Sequence, residues 1–114
     1  MSARDWTLTV RAGSKVEHER HDTLDGAIDA LTARLAALAP GAPREEVSFF
    51  ARRIEPIQQV AARLELAGPR GQRGGVDLRG DGSSEAFSGR LRRRVIERRK
   101  SESAADALRR ALAT

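Results

Sequence analysis

Arginine is the residue type with the most chemistry to offer in this sequence. Arg90, Arg92, Arg93 and Arg94 crowd around Leu91, and Arg98, Arg99 and Lys100 follow shortly after. A planar guanidinium presents paired donors that fit phosphate or carboxylate. Alternate side chains of a strand share a face about 6.5–7 Å apart, close to successive phosphates on one nucleic-acid strand. A long strand over 85–97 is therefore expected to project Arg90, Arg92 and Arg94 together. On this reading Phe87, Gly89, Leu91 and Val95 take the core-facing parity. Arg93 falls inward and must reach solvent at the edge, while Arg63 extends the row from strand 57–67. Arg70 and Arg73 stand in Gly-Pro-Arg-Gly-Gln-Arg-Gly-Gly, the loop 68–75, where backbone amides add to anion contact. The opposing reading is a solvated sheet face on which Glu17, Glu19 and Glu65 neutralise these arginines across strands.

Other chemistries find less support. His18 and His21 lie near Glu17, Glu19 and Asp22, but positions three apart on a strand point to opposite faces, so a shared metal is not expected. The chain has no cysteine, which excludes a thiol nucleophile, a disulfide scaffold and Cys-ligated zinc or iron–sulfur. The serines fall in turns and helix caps, without a base held by a third group. No carboxylate pair sits in an apolar setting, and no glycine run links a strand to a helix start. Neither a catalytic residue nor a cofactor is expected.

The charge distribution sharpens the arginine reading. The 114 residues carry 21 Lys+Arg against 16 Asp+Glu, net +5. Residues 68–100 hold 10 basic and 4 acidic side chains, net +6, so the whole excess lies in about a third of the chain. Of the basic residues, only Lys15 and Lys100 are lysine. No apolar run approaches the roughly 18–20 residues of a membrane span. No apolar signal core follows the opening Met-Ser-Ala-Arg-Asp-Trp, so a cytoplasmic location is expected.

The elements that must position these residues follow from periodicity. Trp6, Leu8 and Val10 alternate with polar residues, Ala12-Gly13-Ser14 turns, and 15–21 returns as a hairpin. Asp22 or Thr23 caps a helix whose Leu24, Ile28, Leu31, Leu35 and Leu38 form one stripe, stopped by Pro40-Gly41-Ala42-Pro43. Residues 45–56 fit either a helix face or a strand. From Gln58 the alternation of Val60, Ala62, Leu64 and Leu66 marks strand 57–67. Val76 and Leu78 make a short strand, 79–84 a tight turn, and 85–97 the long strand. Ser101 or Ser103 caps a last helix, with Asp106 three residues past Ser103 as in a capping box, and that helix buries Ala104, Ala105, Leu108, Ala111 and Leu112. The fold class is therefore α+β. A single domain over 1–114 is expected, a twisted, mostly antiparallel sheet of about five strands in the order ββα-β-ββα with two helices on one face. Residues 26–31 and 103–108 echo one another, which suggests hairpin-helix halves 6–38 and 76–113 joined by strand 57–67.

From residue 23 onward the order α-β-β-β-α is similar to that of a double-stranded-RNA-binding domain, over about four-fifths of the chain. The resemblance implies phosphate contacts from a basic start to the last helix. Here that start reads Ser101-Glu102-Ser103-Ala104-Ala105-Asp106 and is acidic, so the likeness is one of element order.

The expected role is that of a small basic, non-enzymatic binding protein. Its partner is expected to be nucleic-acid backbone or another polyanion, held by Arg70, Arg73, Arg90, Arg92, Arg94, Arg98, Arg99 and Lys100. The alternative is a homodimer or protein-partner module that uses an open sheet face or edge.

Overall fold

A computed structural model describes residues 5–38, 60–89 and 92–113. Strands β1 (Trp6–Ala12) and β2 (Lys15–His21) form the first hairpin, turned at Gly13. Helix α1 (Leu24–Leu38) follows, begun by Thr23, whose Oγ1 accepts from the Gly26 amide at 3.0 Å. Strands β3 (Val60–Ala67), β4 (Arg73–Arg79), β5 (Ser84–Ser88) and β6 (Arg94–Val95) come next, then helix α2 (Ala104–Leu112). The strands form one antiparallel sheet in the order β2-β1-β3-β4-β5-β6. The α+β class and the two helices on one face agree with the sequence reading; the strand count is six.

The core lies between the sheet and the helices, because each strand contributes one apolar parity. Trp6, Leu8 and Val10 line up with Ala62, Leu64 and Leu66, then with Val76 and Leu78, and with Ala86. Ala27, Ile28 and Leu31 of α1 and Ala104, Ala107, Leu108 and Leu112 of α2 close this layer. Of the two serines the sequence offers as caps, Ser103 starts α2, in a capping box with Asp106 whose two bonds are both 3.0 Å. Asp25 and Arg109 tie the two helices together at 2.5 Å.

Three sequence expectations are corrected. The long strand over 85–97 does not form. β5 ends at Ser88, Gly89 adopts a φ of +91° that favours glycine, and the chain reverses into β6. The glycine-rich loop is shorter than 68–75, since Arg73, Gly74 and Gly75 begin β4. A Cβ at Gly74 would meet Leu108 of α2 at 2.8 Å, and one at Gly75 would meet Phe87 at 2.8 Å, so these glycines serve close packing on opposite faces. Finally, Glu17 and Glu19 do not lie on the outer sheet face. They oppose Val10 and Leu8 on the helix side, where Arg34 of α1 bonds both, reaching Glu19 at 2.8 Å. The divergence of the two histidines holds: His18 pairs with Thr9 on the outer face, His21 with Trp6 on the helix face.

The likeness to the double-stranded-RNA-binding order does not extend to the sheet. Four strands lie between the helices, and β1 sits within the sheet between β2 and β3. The acidic helix start is explained by local bonding, since Glu102 accepts from the Arg99 amide at 2.8 Å and from Arg110 at 3.0 Å. Those donors hold its carboxyl well below the usual range, at about 2.

Candidate nucleic-acid interface

The sheet face turned away from the helices is a ladder of paired charges. Arg63 grips Asp77 with two bonds, Nε to Oδ1 at 2.6 Å and a terminal nitrogen to Oδ2 at 3.1 Å, and this partner raises the arginine's pKa further. Arg11 reaches Glu65 at 3.2 Å, and Arg79 reaches Glu85 at 2.8 Å. Asp77 is almost fully buried, so the bidentate grip on it is what makes its burial tolerable.

Phe87 belongs to this face. Its strand partner is Gly75, which has no side chain to displace it, while Ala86 takes the core-facing parity. The residue is only 4% exposed, yet it does not join the helix-side core. Guanidinium carbons of Arg63 and Arg93 stand 5.7 and 5.1 Å from its centroid and cover it. The core-facing assignment of Phe87 is therefore corrected. Arg93, expected to point inward, lies over Phe87 on the outer face with Glu65 at 3.8 Å.

The residues expected to bind anions separate into two groups. Gly89 donates its amide to the Arg73 carbonyl at 2.9 Å, and Arg94 opposes Ser88. The loop before β4 and the turn between β5 and β6 thus share one end of the sheet, bringing together Arg70, Arg73, Arg92 and Arg94. β4 to β6 is two strand spacings, about 10 Å. All four are exposed, and none meets a carboxylate among the described residues. They form a rim and not a row. Arg73 shares the outer face with Ala67, Arg94 shares the side of Ser88, and Arg70 and Arg92 occupy turns.

Arg98, Arg99 and Lys100 are exposed on the segment that runs past β6 toward the start of α2, away from that rim. Arg90 and Leu91 lie outside the described residues, as do 45–56 and the first residues of strand 57–67. No described helix is long and apolar enough to cross a membrane. No family model, curated protein or solved structure matches the chain.

Proposed function

We propose that the protein binds nucleic acid through phosphates at the rim formed by Arg70, Arg73, Arg92 and Arg94. One observation carries this reading. The neighbouring sheet face satisfies its guanidiniums with Glu65, Asp77 and Glu85, whereas these four project into solvent without an acid partner among the described residues. Desolvating an arginine already paired to a carboxylate gains little, while an unpaired one gains a full charge-assisted bond from phosphate. Each phosphate so neutralised releases condensed counterions, which is the main source of affinity.

The experiment is anisotropy titration with duplex and single-stranded oligonucleotides over a range of salt. If all four arginines engage duplex, the log–log slope is expected near −3 to −4, at about 0.9 per phosphate. Absence of binding at low salt overturns the proposal. Equal competition by heparin would widen the ligand to polyanions in general. Light scattering at low and high salt addresses self-association. A monomer is expected, and a salt-resistant dimer that occludes Arg92 would make the rim an interface between copies.

A further inference from the structure

Phe87 is the feature that backbone binding leaves unused. A ring on the open face of a sheet, beside a cationic rim, is where a nucleobase can stack. Among the described residues, two guanidiniums lie over this ring. Gly75 lies beneath it, Arg63 flanks it, and Arg93 covers it.

The two arginines differ in how firmly they are held. Arg63 is fixed by its two bonds to Asp77. Arg93 is 37% exposed, holds Glu65 at only 3.8 Å, and lies in sequence between Arg92 and Arg94 of the rim. A partly exposed ion pair at 3.8 Å and a cation–π contact are both modest restraints beside the bidentate grip on Arg63. A phosphate arriving at the rim offers Arg93 a stronger partner than either. Val95 is the strand partner of Phe87, shares its face and is 60% exposed, which supplies an apolar flank beside the ring.

We propose that Phe87 is a base-stacking platform for single-stranded nucleic acid, capped by Arg93 until a backbone phosphate draws that guanidinium aside. The inference rests on the rim's binding nucleic acid and adds the class of ligand: an unpaired strand whose base enters between Phe87 and the displaced arginine. Stacking of this kind tolerates every base, because each has a π-face. A duplex keeps its bases stacked on one another and meets the rim alone.

The test compares three probes of equal length at one low salt concentration: oligothymidylate, the same backbone without bases, and a duplex. Wild type is expected to bind oligothymidylate roughly 5- to 150-fold more tightly than the abasic strand, the range for one stacked base. Phe87→Leu should abolish that preference while binding of the abasic strand persists, and Arg93→Gln should weaken abasic binding while retaining the preference. Equal binding of the base-bearing and abasic strands by wild type overturns the stacking proposal and leaves the rim reading intact. Survival of the preference in a folded Phe87→Leu protein also overturns it. Failure to bind any of the three removes the rim reading and this one with it. If Phe87→Leu does not fold, the NMR signals of ring-labelled phenylalanine in wild type decide: the Phe87 ring must shift with oligothymidylate and not with the abasic strand.

Discussion

The outer sheet face and the rim at its end are built from the same residue type and differ in what stands opposite each guanidinium. On the face, Arg63 of β3 lies directly opposite Asp77 of β4. Arg11 of β1 reaches Glu65 of β3 and Arg79 of β4 reaches Glu85 of β5 across diagonals, so these guanidiniums each find a carboxylate on a neighbouring strand. At the rim Arg73 and Arg94 lie opposite Ala67 and Ser88, Arg70 and Arg92 lie outside the strands, and none of the four meets an acid among the described residues. Arginine content alone therefore says little about binding. The unpaired fraction is set by what stands across from each guanidinium.

The sharpest way to break this contrast is to remove the acid from a paired site. Asp77→Ala leaves the partly buried Arg63 guanidinium without its bidentate acceptor and loosens the wall beside Phe87. Breaking a buried pair from one side typically costs about 3–5 kcal/mol, and the 29% exposure of the Arg63 side chain lowers the expectation to ~2–3 kcal/mol in urea unfolding. The double variant Arg63→Met with Asp77→Leu should recover most of that loss, because no orphaned charge remains. A single-variant cost under about 0.5 kcal/mol would show the pair to be an ordinary surface contact.

Reversing the rim should do the opposite, changing binding and leaving stability alone. Arg70→Glu, Arg73→Glu, Arg92→Glu and Arg94→Glu together are expected to flatten the salt slope for duplex by about 3–4. Each change should alter unfolding free energy by no more than about 0.5 kcal/mol, as for exposed positions without partners. Arg11→Gln is the control from the paired face. It should change both quantities little, since an exposed pair such as Arg11–Glu65 is worth about 0–1 kcal/mol. If Arg11→Gln weakens binding as much as a rim variant does, pairing does not distinguish the two regions.

Much of the fold was legible in the sequence, and the misreadings share a cause. The first hairpin, the α1 stripe and the α2 capping box are local patterns: period two, period 3.6 and a three-residue spacing. The region from Arg73 to Arg94 is governed by non-local packing. Counting alternate residues through 85–97 carries parity across a turn that only the positive φ of Gly89 reveals. Phe87 read as core because large aromatics are usually buried there, and it is indeed buried, but under guanidiniums opposite a glycine. The side taken by Glu17 and Glu19 depended on Arg34, which approaches from a helix fifteen residues or more away in sequence. Of the expected binding residues, Arg70, Arg73, Arg92 and Arg94 converge through strand pairing, which the sequence does not spell out.

The smallest expected effect concerns the cations excluded from the rim. Arg98, Arg99 and Lys100 sit on a segment pinned by Glu102, which accepts from the Arg99 amide and from Arg110. Those contacts depress the Glu102 carboxyl from 4.5 to about 2. A depressed carboxylate contributes stability that is complete above its ordinary pKa and is lost as pH falls through the folded value. Wild type should therefore lose this contribution progressively between about pH 4.5 and pH 2. Glu102→Gln, which cannot ionise, should lie slightly below wild type in stability at neutral pH and converge with it at the acid end. The gap should stay small because the group lies at the surface and its bonds are screened by water. The same substitution frees the segment before α2 while leaving the rim unchanged, so its nucleic-acid affinity and salt slope should match wild type. Parallel stability curves at every pH would show that Glu102 does not pin this segment. A changed salt slope would bring Arg98, Arg99 and Lys100 back into the binding surface.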